Sequence, residues 1–143
     1  SVIGIRKFRG PITLLSRGIS NIVGVMQKLG VKRILTITGA GILQETSDYL
    51  IMDSLSFPPN LLNISQDHLR MYMCLRDSGL DWTIVSPSFM HSGKRTQQYL
   101  VEPDYFPKGA LNQVSVEDVA DFMVREMTDS QFLKKRVGIA HPK

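Results

Sequence analysis

The sequence predicts an α/β protein, a parallel sheet with flanking helices, and two observations carry that prediction. Gly30 leads into the apolar run 31–38 as Gly79 leads into the run 80–87, and an amphipathic segment precedes each glycine. Helix, glycine and strand, twice in succession, is the pattern of parallel strands joined by helices. In such sheets ligands sit just beyond the carboxyl ends of the strands, so the residues that follow Thr38 and Pro87 are the first places to look for function.

The elements follow in order. Residues 1–4 read as the end of a strand and 5–11 as a basic loop bounded by glycine and proline. A helix is expected from about 12 or 15 to 29, because Leu15, Ile19, Ile22, Val23, Met26 and Leu29 keep a 3.6-residue rhythm. Gly30 stops it in the left-handed conformation that closes a last turn, and 31–38 is the next strand. The stretch 39–64, rich in Ser, Asn and Asp and carrying Pro58-Pro59, is irregular, and loops of that length in a compact domain are functional or mobile. Ser65 is the expected N-cap of a second helix running through His68, Leu69, Tyr72 and Leu75. After Gly79 the β-branched and aromatic run Trp82-Thr83-Ile84-Val85 forms a buried strand ending at Pro87. Residues 88–112 hold glycines, prolines and one short strand-like piece, 98–101. Ser115 and Asp118 form a capping box that opens a third helix, whose expected buried face is Val116, Val119, Ala120, Met123, Val124 and Met127. A last short strand spans 136–140.

At 143 residues the chain fits one domain with a real core, and with 43% hydrophobic and 21% charged residues it is globular. No apolar run is long enough to span a bilayer, so no membrane is expected as a partner. The formal charge of +4 is modest. Its denser clusters, Arg6-Lys7-Arg9 and Lys134-Lys135-Arg136, read as solvated surface without the basic stripe and interleaved aromatics of a nucleic-acid binder. Cys74 is the only cysteine, which excludes an intramolecular disulfide and a cysteine zinc site and fits a reducing, cytoplasmic setting. Asn63-Ile64-Ser65 matches the glycosylation tripeptide but has no secretory signal beside it.

Thr38-Gly39-Ala40-Gly41, at the end of the 31–38 strand, has two readings. Its glycines let backbone approach a ligand and its hydroxyl can hydrogen-bond one, or the four residues are a tight turn into the loop. Gln44 stands where the third glycine of a dinucleotide fingerprint falls, so this is no phosphate-binding loop. Gly93-Lys94-Arg95-Thr96 lacks the first glycine of a P-loop, since Ser88 holds that place. Tyr72 and Arg76 have the spacing of a catalytic Tyr-x-x-x-Lys pair with arginine for lysine, and Tyr72 reads as a core or boundary residue. His68, in the expected first turn of its helix, either faces a ligand over the sheet or is simply solvated. His91 and His141 fall in irregular or terminal segments, and the three histidines have no metal-ligand spacing. No nucleophile elbow or matched carboxylate pair is present, so no catalytic residue is singled out.

Asn21-Ile22-Val23, Gly30-Val31-Lys32-Arg33, Thr38-Gly39-Ala40-Gly41, Asp67-His68-Leu69-Arg70-Met71, the run 78–87 and Val116-Glu117-Asp118-Val119-Ala120-Asp121-Phe122-Met123 occur in a telling order. It is the order of the NAD(P)H-binding atypical short-chain dehydrogenase/reductases, and over nearly its whole length the chain resembles their NmrA-like group, which includes biliverdin reductase B, or flavin reductase. The resemblance implies a Rossmann-like sheet holding NADP(H) or NAD(H) along its carboxyl edge, with hydride transfer to a small-molecule acceptor such as a flavin or tetrapyrrole. It also implies that Gly4, Ile5, Ser16, Ile37, Thr38, Gly39, Ala40, Gly41, His68, Pro87, Ser88, Phe89 and Met90 surround the nicotinamide half of the cofactor. Two positions depart from the biliverdin reductase pattern: Gly39 replaces a serine and Phe89 a histidine. Bacterial-type relatives share Thr-Gly-Ala-Gly, and such reductases work chiefly by holding donor and acceptor together.

Family members carry a glycine-rich Gly-x-x-Gly-x-x-Gly turn and further strands ahead of anything that matches 1–4. The expectation is therefore that 1–143 is the C-terminal part of a single NAD(P)-binding domain, lacking the first βαβ portion and binding NADPH weakly by itself. The 1–4 strand would then be a sheet edge open to a protein partner or to self-association. The function expected is that of an NAD(P)H-dependent reductase of the flavin/biliverdin type. Its rivals are a non-catalytic NmrA-like cofactor sensor and a structural accessory protein.

Overall fold

The computed structural model describes residues 11–143. The expected strand at 1–4, the cluster Arg6-Lys7-Arg9 and the positions Gly4 and Ile5 lie outside the described residues.

Helix α1 (Leu14–Leu29) buries Leu15, Ile19 and Val23, with Ile22 and Met26 packed beside them. Leu29, expected on the same face, is 72% exposed. At about 100° per residue it falls roughly 80° from the centre of the buried arc, at its rim. Gly30, with φ 69°, ends the helix as the sequence predicts: its N–H reaches the Gln27 carbonyl and the Val31 N–H reaches that of Met26.

Strand β1 (Arg33–Ile37) follows, and the irregular stretch expected over 39–64 contains three short 3₁₀ turns, Ala40–Ile42, Ile51–Asp53 and Pro59–Leu61. The last feeds straight into α2 (Leu62–Arg76), so that helix begins before Ser65. Ser65 is therefore not the cap but a buried residue inside the helix, and His68 sits in the second turn instead of the first. The chain then turns at Gly79, with φ 73°, into β2 (Asp81–Pro87), whose residues from Trp82 to Pro87 are all buried.

Beyond β2 the structure has two three-residue strands that the sequence did not predict, β3 (Phe89–His91) and β5 (Gln113–Ser115), which pair in parallel. The piece expected at 98–101 is β4 (Leu100–Pro103), two residues farther on, after a segment whose Gln97 and Tyr99 side chains bond Asp121 of the next helix. Helix α3 (Val116–Asp129) and strand β6 (Lys135–Ala140) complete the chain. The main sheet has the order β1-β2-β6-β4; its first three strands are mutually parallel and β4 is an antiparallel edge.

Alternation along the strands builds a core on each face. Ile34, Trp82 and Ile84 join Leu15, Ile19, Val23, Met71 and Leu75 from α1 and α2 on one face, where Tyr72 packs edge-on against Trp82 as a boundary residue. Val85, Val137 and Ile139 join Val119 and Phe122 of α3 on the other. Gly138 has no room for a side chain, since a Cβ there would collide with the Tyr105 carbonyl and press on Pro107 and Leu43.

The buried face of α3 corrects the apolar expectation. Val116, Ala120, Val124 and Met127 are exposed, whereas Asp118, Asp121 and Glu126 are buried with Val119 and Phe122. Each carboxylate replaces water with several donors, which apolar periodicity cannot register. Glu126 Oε1 accepts from Arg33 (2.8 Å), Thr83 (3.1 Å) and the Phe132 N–H (3.0 Å), joining β1, β2 and the turn into β6. Asp121 takes Arg95, Gln97 and Tyr99, and Arg125 from its own helix. The capping box is only half formed: Ser115 Oγ accepts from the Asp118 N–H, while the Asp118 side chain turns to Thr96 and Gln97. Arg136, expected on the surface, is likewise buried, pointing its guanidinium at the Ile42 carbonyl and lying 4.7 Å over the Tyr72 ring.

Helix α1 has no side-chain cap of its own. Its first amides are capped from α2 instead: fully buried Asp67 accepts from the Leu15 N–H (2.9 Å) and Ser16 N–H (3.4 Å), and its other oxygen takes the Ser16 hydroxyl and Arg70. Asp67→Ala should destabilise the fold by about 2 kcal/mol, the upper range for a lost cap, and chemical denaturation measures it. Asp67→Asn, which keeps one acceptor for the helix end, should lose less.

Candidate functional site

Strands β1 and β2 end side by side, and the segments leaving them form the site. The Thr38 N–H donates to the Val85 carbonyl (2.9 Å), continuing the ladder one residue past β1. The Thr38 and Ser86 hydroxyls then lie 2.9 Å apart, both buried, so the Thr38 hydroxyl serves a neighbouring strand. Ala40 begins the 3₁₀ turn that carries Gly41 into the interior.

His68 fixes this turn from above. The Gly39 N–H donates to His68 Nδ1 at 3.1 Å, which requires a neutral ring carrying its proton on Nε2. Burial lowers the His68 pKa to about 4, a shift only partly opposed by the neighbouring Asp67 carboxylate. The ring is therefore engaged by the turn at the end of β1, a contact that neither the ligand-facing nor the solvated reading included.

The glycines of Thr38-Gly39-Ala40-Gly41 differ in what they do. A Cβ on Gly39 would meet the His68 ring at 3.7 Å, an ordinary contact. A Cβ on Gly41 would lie 2.8 Å from Ser65 Oγ and 3.0 Å from Phe57 Cζ. Gly41 makes room for the protein itself, and Gly39 is the glycine whose surroundings are open.

On the β2 side, Ser88 lies in the bend just past the strand, and its N–H donates to the Ile139 carbonyl (3.1 Å). Its buried hydroxyl has no partner among the described residues. Ile37, Phe89 and Met90 are 38%, 72% and 41% exposed at the same sheet edge. The structure thus groups Ile37, Thr38, Gly39, Ala40, His68, Pro87, Ser88, Phe89 and Met90 around the ends of β1 and β2, with Gly41 packed beneath. The Ser16 hydroxyl is engaged by Asp67, the residue before His68.

Sequence reasoning missed a second polar centre along the same edge. Asp118 accepts from the Thr96 N–H (2.8 Å), the Thr96 hydroxyl (2.6 Å) and the Gln97 N–H (2.8 Å), and its Oδ2 lies 2.8 Å from His141 Nε2. Burial opposes its ionisation, but these donors outweigh it and hold the carboxyl well below the usual carboxylate range. The Ser115 N–H is 3.5 Å from the same His141 nitrogen, but an ionised carboxylate at the shorter distance takes the proton. The segment that began as a P-loop look-alike is thereby strapped across α3. Tyr99, at its far end, is pushed up to about 12 by burial and its bond to Asp121. The available signal was the three-residue spacing of Asp118 and Asp121, which places both on one helix face.

An α/β sheet with small residues, an unpartnered hydroxyl and exposed apolar side chains at its carboxyl edge belongs to the class of α/β proteins that bind ligands at strand ends. The chain belongs to the NAD(P)H-binding family, whose pattern matches residues 3–130. Its fold is similar to that of a Burkholderia pseudomallei protein assigned as exported (TM-score 0.87, 24% identity, 99% of this chain and 69% of that one). It is also similar to a Streptococcus pneumoniae TIGR4 protein assigned as an NADH-flavin reductase (TM-score 0.79, 23% identity, 99% and 70%). A wide-type short-chain dehydrogenase/reductase of Veillonella parvula, solved in complex with NADP, matches at TM-score 0.66 and 17% identity over 89% of this chain and 58% of that one. At these identities the likeness is one of fold. Among the described residues no cluster of three metal-ligating side chains occurs, and no helix is long and apolar enough to cross a membrane.

Two outcomes test this geometry. Gly39→Ala should change stability by less than about 0.5 kcal/mol, whereas Gly41→Ala should cost about 1–3 kcal/mol by overpacking, as denaturant melts will show. His68 has a folded pKa of about 4 against an ordinary 6.5, so the unfolded state binds the extra proton between those values. The stability contribution is complete above pH 6.5 and is lost as the pH falls through about 4, a span on the order of 3 kcal/mol. His68→Gln should flatten that part of the stability-against-pH curve.

Proposed function

We propose that this chain forms the nicotinamide-facing part of an NAD(P)H-dependent oxidoreductase of the flavin/biliverdin reductase type, with a flavin or similar conjugated ring as acceptor. The observation that carries the reading is the buried, unpartnered Ser88 hydroxyl at the end of β2, beside a turn locked by neutral His68. A buried hydroxyl without a partner loses about 1–3 kcal/mol relative to a bonded one, so the site suits a ligand that supplies the missing partner. A carboxamide does so, having both donor and acceptor.

The nicotinamide, when bound, supplies the hydride. The chain's residues position and shield. Ser88 binds the polar edge of the ring, the Gly39 side of the turn admits it closely, and Ile37, Phe89 and Met90 cover its apolar surface and exclude water. Neutral His68 adds no positive charge beside a ring that becomes cationic on oxidation. Membership of the NAD(P)H-binding family and the fold shared with an assigned NADH-flavin reductase and with an NADP-bound dehydrogenase/reductase support this reading.

The test is NADPH and NADH oxidation with FMN, FAD or biliverdin, run on this chain and on the full product of its gene. Acceptor-dependent oxidation is the expected result. Dinucleotide binding without turnover would instead assign a sensing module, and no binding by either protein would overturn both. Ser88→Ala should weaken dinucleotide binding roughly fivefold to tenfold, the value of about one hydrogen bond, while leaving the melting temperature unchanged or slightly higher.

A further inference from the structure

Transfer of a hydride to a conjugated ring leaves an anion that requires one proton, and His68 is badly placed to give it. It is neutral down to about pH 4, and its Nδ1 is occupied by Gly39. A second imidazole lies on β3, in the two-stranded sheet that the chain enters just after β2. Strand β3 prolongs the chain from Ser88, and Phe89 and His91 fall on one face of it. Three residues of extended chain place His91 about 10 Å beyond Ser88, a distance that a fused-ring acceptor spans.

The ring of His91 is fixed for proton donation. Its Nδ1 lies 3.0 Å from the Ser92 carbonyl, and a carbonyl only accepts, so Nδ1 carries a proton and Nε2 is the exchangeable nitrogen. Gly93 closes over it, since a Cβ there would lie 3.3 Å from His91 Cε1 and 3.1 Å from Ser115 Cβ. The His141 ring meets His91 edge-to-face, with centroids 5.9 Å apart, and is itself held by fully buried Asp118 through Nε2. His91 thus stands on two supports that no element of the main sheet requires.

We propose that His91 is the proton donor of the site, acting through Nε2 on the reduced acceptor, and that His141, oriented by Asp118, is its positioning residue. The proposal rests on the oxidoreductase reading. With the hydride and its electron pair supplied by the bound dinucleotide, the His91 imidazolium would give H⁺ to a ring nitrogen of the acceptor, and neutral His91 would regain a proton from water. Acceptor, hydride and proton together make the neutral dihydro product. The charged groups on the neighbouring elements are Asp118, which binds His141, Glu117, which accepts from the Gly93 N–H, and Lys94 and Arg95 in the segment after β3, Arg95 being paired with Asp121.

Two readouts on the full gene product test this. In imidazole NMR without any dinucleotide, added FMN should shift the His91 signals and leave those of His68 nearly still. In turnover with NADPH and FMN, the wild-type kcat should fall as the pH rises, a proton donor being lost. His91→Gln should lower kcat roughly a hundredfold and abolish that fall at an unchanged melting temperature. His141→Gln should keep the fall but move it, where a merely structural role would move only stability. Turnover in the wild type with His91 signals indifferent to FMN, or with an unchanged pH profile in His91→Gln, would overturn this inference and leave the oxidoreductase reading standing. Absence of turnover with every acceptor would remove both.

Discussion

The buried carboxylate of Asp67 is the contact on which the arrangement of this half of the molecule depends. A helix that starts without its own cap leaves its first amides unsatisfied, and α1 starts that way. Asp67 supplies the acceptor from another helix, 52 residues along the chain from Leu15, so α1 and α2 are fixed relative to each other by a charge-assisted bond as well as by packing. The next residue is His68, whose bond to Gly39 fixes the turn at the end of β1. Two consecutive side chains on one helix therefore join a folding contact to the site. Any shift of α2 that strained one would strain the other.

The opposite face of the sheet is organised by the same device used three times. Asp118, Asp121 and Glu126 occupy helix positions where leucines would bury more apolar area. A buried charge is weak evidence of stability, because its desolvation offsets much of what the partners return. What these carboxylates provide is definition: each binds backbone or side chains from segments that have no regular structure of their own. The segment 92–99 has no ladder to hold it, and Asp118 and Asp121 substitute for one. The turn 130–134 is held in the same way by Glu126.

That division explains what was legible in the sequence. The two glycine-led strands and their helices were readable, because αL glycines and apolar runs act locally, and Gly30 and Gly79 both show the required positive φ. The buried face of α3 was not. Its partners come from as far as Arg33, 93 residues away from Glu126, and hydropathy assigns such carboxylates to solvent. Ser65 was misread for a related reason: a serine before an apolar run looks like a cap, yet the 3₁₀ turn at Pro59–Leu61 had already started the helix. In the site, the grouping of Thr38, Gly39, His68 and Ser88 was legible through the resemblance. The reason why Gly41 is a glycine was not, because Phe57 and Ser65 reach it through tertiary structure.

The site is also divided by charge. At its centre Thr38, Ser86, Ser88 and neutral His68 offer hydrogen bonds without net charge. Farther along lie the ionised carboxylate of Asp118 and, linked to it through His141, the ring of His91. A ring that alternates between neutral and cationic forms is held most evenly by uncharged groups, because a fixed charge would stabilise one redox form against the other by an amount that grows as water is excluded. In the proposed reading a bound ring would meet only uncharged groups there, because burial keeps His68 neutral across the physiological range. The charged groups of α3 would then face the acceptor and leave the cofactor unbiased.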